Sequence, residues 1–196
     1  KSLGYKSKNA IPAYTTVDIF QLVPAIGSGD NVSPDFNYAL TIKPGMQIKQ
    51  TDGSSEFRTL NTVDFSFSSS INPTEITIYE SDESTNQPVY YLLKKQTQVV
   101  SGKIKTAQDT FTTPKQYDKV IIDDTNIIDI ISCKESDGDG WYQVEYLAQD
   151  TIFQEVPNLI ENDPEFAQYR STSPSLLKLL KTSKRFITRL RSDNKL

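Results

Sequence analysis

ESDGDGWYQVEYLA, residues 135–148, decides how the rest of the chain is read. Its acids and glycines, Glu135, Asp137, Gly138, Asp139 and Gly140, alternate as they do in a calcium-binding loop. The same letters suit a tight turn that presents Trp141, the only tryptophan of the protein. Counting positions separates the two readings. An EF-hand loop takes oxygen ligands at its first, third and fifth positions, glycine at the sixth and a bidentate glutamate at the twelfth. From Glu135 onward, Asp137, Asp139 and Gly140 fall in place, but the twelfth residue is Tyr146, and Glu145 comes one place early. The flanks are patterned as strands, where that motif requires helices. The stretch therefore reads as a hairpin turn without a metal, in which glycine supplies positive φ and aspartate tolerates it. In the outgoing strand Tyr142, Val144 and Tyr146 share the expected core face, and Trp141, Gln143 and Glu145 the more polar one. Trp141 is expected to pack on a neighbouring strand or to meet a partner.

Period two extends outward from this hairpin. YTTVDIFQLV (14–23) places Val17, Ile19, Gln21 and Val23 on one face, and ITIYE (76–80) places Ile76 and Ile78 together. VYYLLKKQTQVVSGKIK (89–105) reads as a strand broken near Ser101-Gly102, while KVIIDD and NIIDIISC are short apolar runs. Turn signals recur between them: Gly27-Ser28-Gly29, Pro44-Gly45, Asp52-Gly53, Asn72-Pro73 and Thr113-Pro114. The pattern predicts a mainly β chain of short-stranded sandwich or roll modules with long loops and little helix. The acidic stretch ESDESTNQP (80–88) reads as a solvated hairpin tip.

Composition limits the chemistry. The 196 residues carry a formal charge of −4, which speaks against nucleic acid as the main partner. Histidine is absent, which removes histidine-based triads and most zinc and iron sites. The one cysteine, Cys133, lies in NIIDIISC and is expected to be a buried, inert thiol. No apolar run is long enough for a membrane span. No catalytic constellation, cofactor motif or metal site emerges, so the expectation is a non-enzymatic protein with no cofactor.

Charge is uneven along the chain. From Pro174 to Leu196 seven Lys or Arg face a single acid, Asp193, leaving that segment at +6 and the remainder at −10. Leu176, Leu180, Ile187 and Leu190 fall near helical spacing, yet β-branched Ile187 and Thr188 and the turn-like KTSK favour two strands; pattern leaves both open. A chain that starts at Lys1 and stops in RFITRLRSDNKL is expected to be an internal piece of a longer polypeptide.

DTNIIDIISCKESDGDGWYQVEYLAQDTIFQEVPN (124–158) resembles the baseplate wedge proteins of contractile-tailed bacteriophages, the baseplate-J-like family. LLKLLKTSKRFITRLRSDNKL resembles that family's basic segment, LGYKSKNAIPAYTTVDIF its join between helical and β regions, and YALTIKPGMQI a recurrent strand element. The resemblance implies a structural virion protein of the tail baseplate, with no catalytic site. It implies copies that associate with one another and with other wedge proteins around the tail, as a homo-oligomer without nucleic-acid or membrane partners. It also implies strands at 176–181 and 185–191. Interface candidates are then Trp141, Tyr142, Tyr146, Arg185, Arg189 and Arg191, with a solvated or internally paired basic face as the plainer alternative. The expected organisation is a linker or helix end at 1–12, a β module at 13–100, and a second at 101–158 with a hairpin over 126–147. A linker loop at 159–175 and basic strands at 176–196 complete it. A host-surface or carbohydrate-binding β-sandwich of a tail appendage is the alternative function.

Overall fold

The computed structural model describes residues 10–113 and 115–190. It is mainly β, with 38% strand against 5% helix, well above the strand share of an average globular domain, about 20–25%. The strands in chain order are β1 (Tyr14–Ile26), β2 (Ser33–Pro34), β3 (Thr41–Ile42), β4 (Gln47–Lys49), β5 (Glu56–Thr59), β6 (Val63–Asp64) and β7 (Glu75–Ser81). They continue as β8 (Pro88–Ser101), β9 (Cys133–Lys134), β10 (Gly140–Gln143), β11 (Thr151–Pro157), β12 (Ser175–Lys181) and β13 (Arg185–Phe186). Most strands are short, and two are long, β1 at 13 residues and β8 at 14.

The chain forms two units, and neither is continuous. A sheet unit holds Ala13–Lys103 and Pro157–Leu176; a loop-rich unit holds Ile104–Val156 with the described ends, 10–12 and 177–190. Consecutive modules joined by a linker at 159–175 are therefore not what forms, because residues 157–176 belong to the sheet unit. Arg170 anchors that return: its guanidinium lies 3.8 Å from the centre of the Phe67 ring and pairs with Asp64 at 3.4 Å. The Ser70 amide donates to the Ser171 carbonyl. Buried Asn158 ties the start of the segment to its end, donating from Nδ2 to the carbonyls of Phe166 and Ser173. These partners are far apart in sequence, so no local pattern announces them. Of the expected helical region or linker at 1–12, positions 1–9 lie outside the described residues.

In the sheet unit β1 and β8 pair antiparallel from Tyr14↔Val100 to Pro24↔Tyr90. The other side of β8 carries β7 along its first half and β5 along its last residues, and the sheet curls as a half-barrel. Alternation then sorts the side chains. Tyr91, Leu93, Lys95, Thr97 and Val99 of β8 are all buried on the inner face. Val23, Tyr91 and Leu93 meet Val63 and Phe65, which the β3–β6 ribbon supplies. Gln21, on the same face, is satisfied by clamping the neighbouring segment: it donates to the Tyr38 carbonyl and accepts from the Leu40 amide. Gly27 ends β1 at φ +108°, where an added Cβ would lie 2.1 Å from the Asn31 carbonyl oxygen, so only glycine fits.

Beyond Leu93 the inner face turns polar. Lys95 is only 4% exposed. Burial pushes its amine below the ordinary lysine value; the Asp64 carboxylate partly offsets this, and Arg170 adds to it. The unfolded chain therefore holds the proton more tightly, and stability rises with pH between the folded and unfolded values. Lys95→Met keeps the volume and removes the desolvation cost. It is expected to raise stability by about 1–2 kcal/mol at neutral pH, read as a higher denaturant midpoint at unchanged slope; a lower midpoint would contradict this reading of Lys95.

The loop-rich unit is built differently. β9 and β10 form a short hairpin, β13 adds to β10 in parallel, and β11 pairs with β12. Between β8 and β9 the described residues form no strand or helix. The expected hairpin over 126–147 is thus confined to 133–143, since NIIDIIS finds no strand to pair with among the described residues. The expected strand at 185–191 is limited to Arg185–Phe186, with 187–190 outside any strand and Arg191 outside the described residues. Cys133 is exposed rather than buried, because β9 is a two-residue edge. Among the described residues no helix is long and apolar enough to cross a membrane.

Candidate functional site

The hairpin that opened the sequence is organised by charge. Its turn closes through hydrogen bonds from the Gly138 amide to the Glu135 carbonyl (3.1 Å) and from the Glu135 amide to the Asp139 carbonyl (2.9 Å). Only Gly138 uses positive φ, at +97°; Gly140 lies in β10. Asp137 accepts from the Asp139 amide at 3.3 Å, which leaves the carboxylates of Glu135 and Asp139 for longer-range work.

That work is done with Lys184, in the KTSK turn before β13. Its Nζ donates to Glu135 Oε2 at 2.9 Å and to Asp139 Oδ2 at 2.6 Å. Glu135 Oε1 accepts from Trp141 Nε1 at 2.6 Å. The carboxylates of Glu135, Asp137 and Asp139 lie within 4.8 Å of one another, the arrangement a cation would use. Here the lysine ammonium supplies the positive charge. Hydrogen bonds from Lys184 and then Trp141 hold the Glu135 carboxyl below its usual range, and the two carboxylates hold the Lys184 amine above its own. The turn is acidic for a partner as well as for its conformation.

The predicted interface residues divide into two sets. Trp141 is 37% exposed and tethered through its indole N–H, opposite Cys133 in the ladder. On the other face Val144 is buried, Tyr142 half-buried, and Tyr146 is 61% exposed, so the expected core face is a core only at Val144. Arg185 is used within the unit: it donates to the carbonyls of Leu147 (2.6 Å) and Thr182 (2.9 Å) and fixes the turn after β10. Its neighbours continue the link, with the Tyr142 amide donating to the Lys184 carbonyl and the Val144 amide to the Phe186 carbonyl. Arg189 is exposed. The structure therefore brings Trp141, Tyr142 and Arg185 together around Lys184, and leaves Tyr146 and Arg189 facing outward.

What residue patterns missed is the extent of apolar exposure. Among the described residues of this unit Val144 is the one buried apolar side chain. Phe111, Tyr117, Ile121, Ile131, Phe153 and Leu177 are each more than half exposed. A shallow cleft of about 440 Å³ lies over Val144, with Ile130 and Phe153 among its walls. Monomeric proteins rarely leave so much apolar surface uncovered. The available signal was the long stretch 102–132, apolar in places yet without turn spacing for paired strands.

Comparison with protein-family models, with curated proteins and with solved structures finds no match to this chain.

The charge cluster gives a pH signature. A depressed Glu135 contributes order above the ordinary carboxylate range, lost as pH falls through its folded value; a raised Lys184 contributes below the ordinary lysine range. Emission from Trp141, the single tryptophan, is expected to stay flat from about pH 5 to 9 and to change in stronger acid. Lys184→Met should move that acid transition upward toward the ordinary carboxylate range. An unmoved transition would show that Lys184 does not hold the hairpin.

Proposed function

We propose that this chain is a structural, non-enzymatic component of a contractile phage tail baseplate wedge, working through self-association and contacts with other wedge proteins. One observation carries the reading: among its described residues the loop-rich unit has a single buried apolar side chain and a broad uncovered apolar surface. A unit of that kind gains its missing burial from neighbours, as obligate assembly partners do. The resemblance of WYQVEYLAQDT and RFITRLRSDN to the wedge family supplies the identity of the assembly. Exposed aromatics such as Tyr146 give large contact area at low entropic cost, and Arg189 offers a charge for an acidic neighbour. The protein's place is then the virion tail, and it acts with no cofactor.

Sedimentation velocity over rising protein concentration tests this together with a glycan array. Concentration-dependent association that weakens on Arg189→Glu, without saturable glycan binding, is the expected result. A strict monomer with strong selective glycan hits would replace it with the host-surface binding module.

A further inference from the structure

We infer that the free edge of β1 over 14–20 pairs antiparallel with the same edge of a second copy of this chain, about a two-fold axis at Val17. The inference rests on the self-association proposed above and names a surface that performs it.

The edge is long, regular and unprotected. β1 is bonded to β8 along one side; on its other side β2 meets only Ala25 and Ile26. The segment after β2 runs back beside the later half of β1, with the Asp35 amide donating to the Pro24 carbonyl and the Leu40 amide to the Gln21 side chain. Among the described residues nothing comparable lies beside 14–20, whose backbone makes no hydrogen bond outside the β8 ladder. The ladder has no bulge there, and YTTVDIF carries no lysine or proline, the devices that blunt natural edges. The outer edge of β7 offers less, because its register is irregular after Ile78. A row of unpaired backbone groups of this kind is the usual template for adding a strand.

The occupant follows from the length and the residue pattern. An antiparallel pairing of this stretch with itself that uses every free position has its axis at the middle residue, Val17. Val17 then meets its own copy, Thr15 meets Ile19, Thr16 meets Asp18 and Tyr14 meets Phe20. Residues directly opposite face the same side of the sheet, and the β8 register already sorts them that way. Thr15, Val17 and Ile19 lie on the inner face, and Tyr14, Thr16, Asp18 and Phe20 on the outer. Tyr14 and Phe20, 63% and 55% exposed, gain an aromatic neighbour at each end of the contact. Charge does not drive the pairing: Asp18, the only charged residue of the edge, is held within its own copy by Lys94 at 3.5 Å and by Gln96 Nε2 at 3.3 Å. Moving the axis to Asp18 would set two carboxylates opposite each other, and moving it to Ile19 would bring in Gln21, where the Leu40 amide already lies. A two-fold contact is isologous, so each pair closes on itself. Seven residues a side falls well short of the roughly 20–30 of a standard interface, so this pairing alone gives a weak, concentration-dependent dimer.

Disulfide trapping reads strand direction and register together. Tyr14→Cys and Phe20→Cys are made separately in a Cys133→Ser background, which removes the exposed native thiol. In the paired dimer each substituted residue lies about 20 Å from its own copy. Positions 14 and 20 of opposite copies lie about 5 Å apart between Cα atoms, within disulfide reach. Under mild oxidation an equimolar mixture is expected to give a disulfide-linked dimer at least about tenfold faster than either variant alone. Both side chains are exposed, so the thermal stability of each variant should match that of the parent chain. If either variant alone cross-links as readily as the mixture, the antiparallel pairing about Val17 is wrong. If no sample cross-links while the unmutated chain still associates in sedimentation, self-association stands on another surface. If the unmutated chain stays monomeric at every concentration, the pairing and the assembly reading fail together.

Discussion

The antiparallel ladder between β1 and β8 is the constraint on which the sheet unit depends. Its register runs without interruption from Tyr14↔Val100 to Pro24↔Tyr90, so the parity of every inner side chain is set at once. A slip of one residue would send Lys94 and Gln96 inward and turn Leu93 and Val99 to solvent. The same ladder fixes both ends of the far edge. Because β8 is long, β5 occupies its last residues and β7 its first, and among the described residues no strand pairs with the outer edge of β7. Core and sheet edge are consequences of one pairing.

The loop-rich unit answers the same problem with other means. It has little buried apolar surface, and its short hairpin is held by Lys184 reaching two carboxylates, by the indole of Trp141 and by Arg185 on two carbonyls. Partly exposed ion pairs contribute little to stability on their own. They position the hairpin rather than drive its formation. The driving force that small units take from a core has to come from elsewhere, and the self-association proposed above would supply it by mass action. A unit that is incomplete alone and ordered in company suits a part whose work is to join copies.

Strand-forming stretches were legible wherever one face met a core. Tyr14–Ile26 and Pro88–Ser101 show it, although Leu92-Leu93-Lys94-Lys95 hides its alternation by giving each face one leucine and one lysine. The turn at Gly138 was legible from letters alone. Its partner was not, because Lys184 is 49 residues away and KTSK looks like an ordinary turn. Cys133 and the isoleucines before it looked buried because apolar runs usually are; among the described residues the isoleucines pair with no strand, and Cys133 sits exposed in a two-residue strand beside Trp141. The return of 157–176 to the sheet unit was hidden for a similar reason. It depends on Arg170 meeting Asp64 and Phe67, a contact between distant residues that no window of sequence contains.

Self-association, under the reading proposed above, consists of finishing what the isolated chain leaves open, the exposed apolar surface of the loop-rich unit. Hydrogen–deuterium exchange followed as a function of protein concentration tests that most directly. Exchange should slow on assembly across the exposed apolar stretch 104–132, while β8 stays equally protected throughout. Exchange in that stretch that is independent of concentration, in a preparation shown to be assembled, would contradict it.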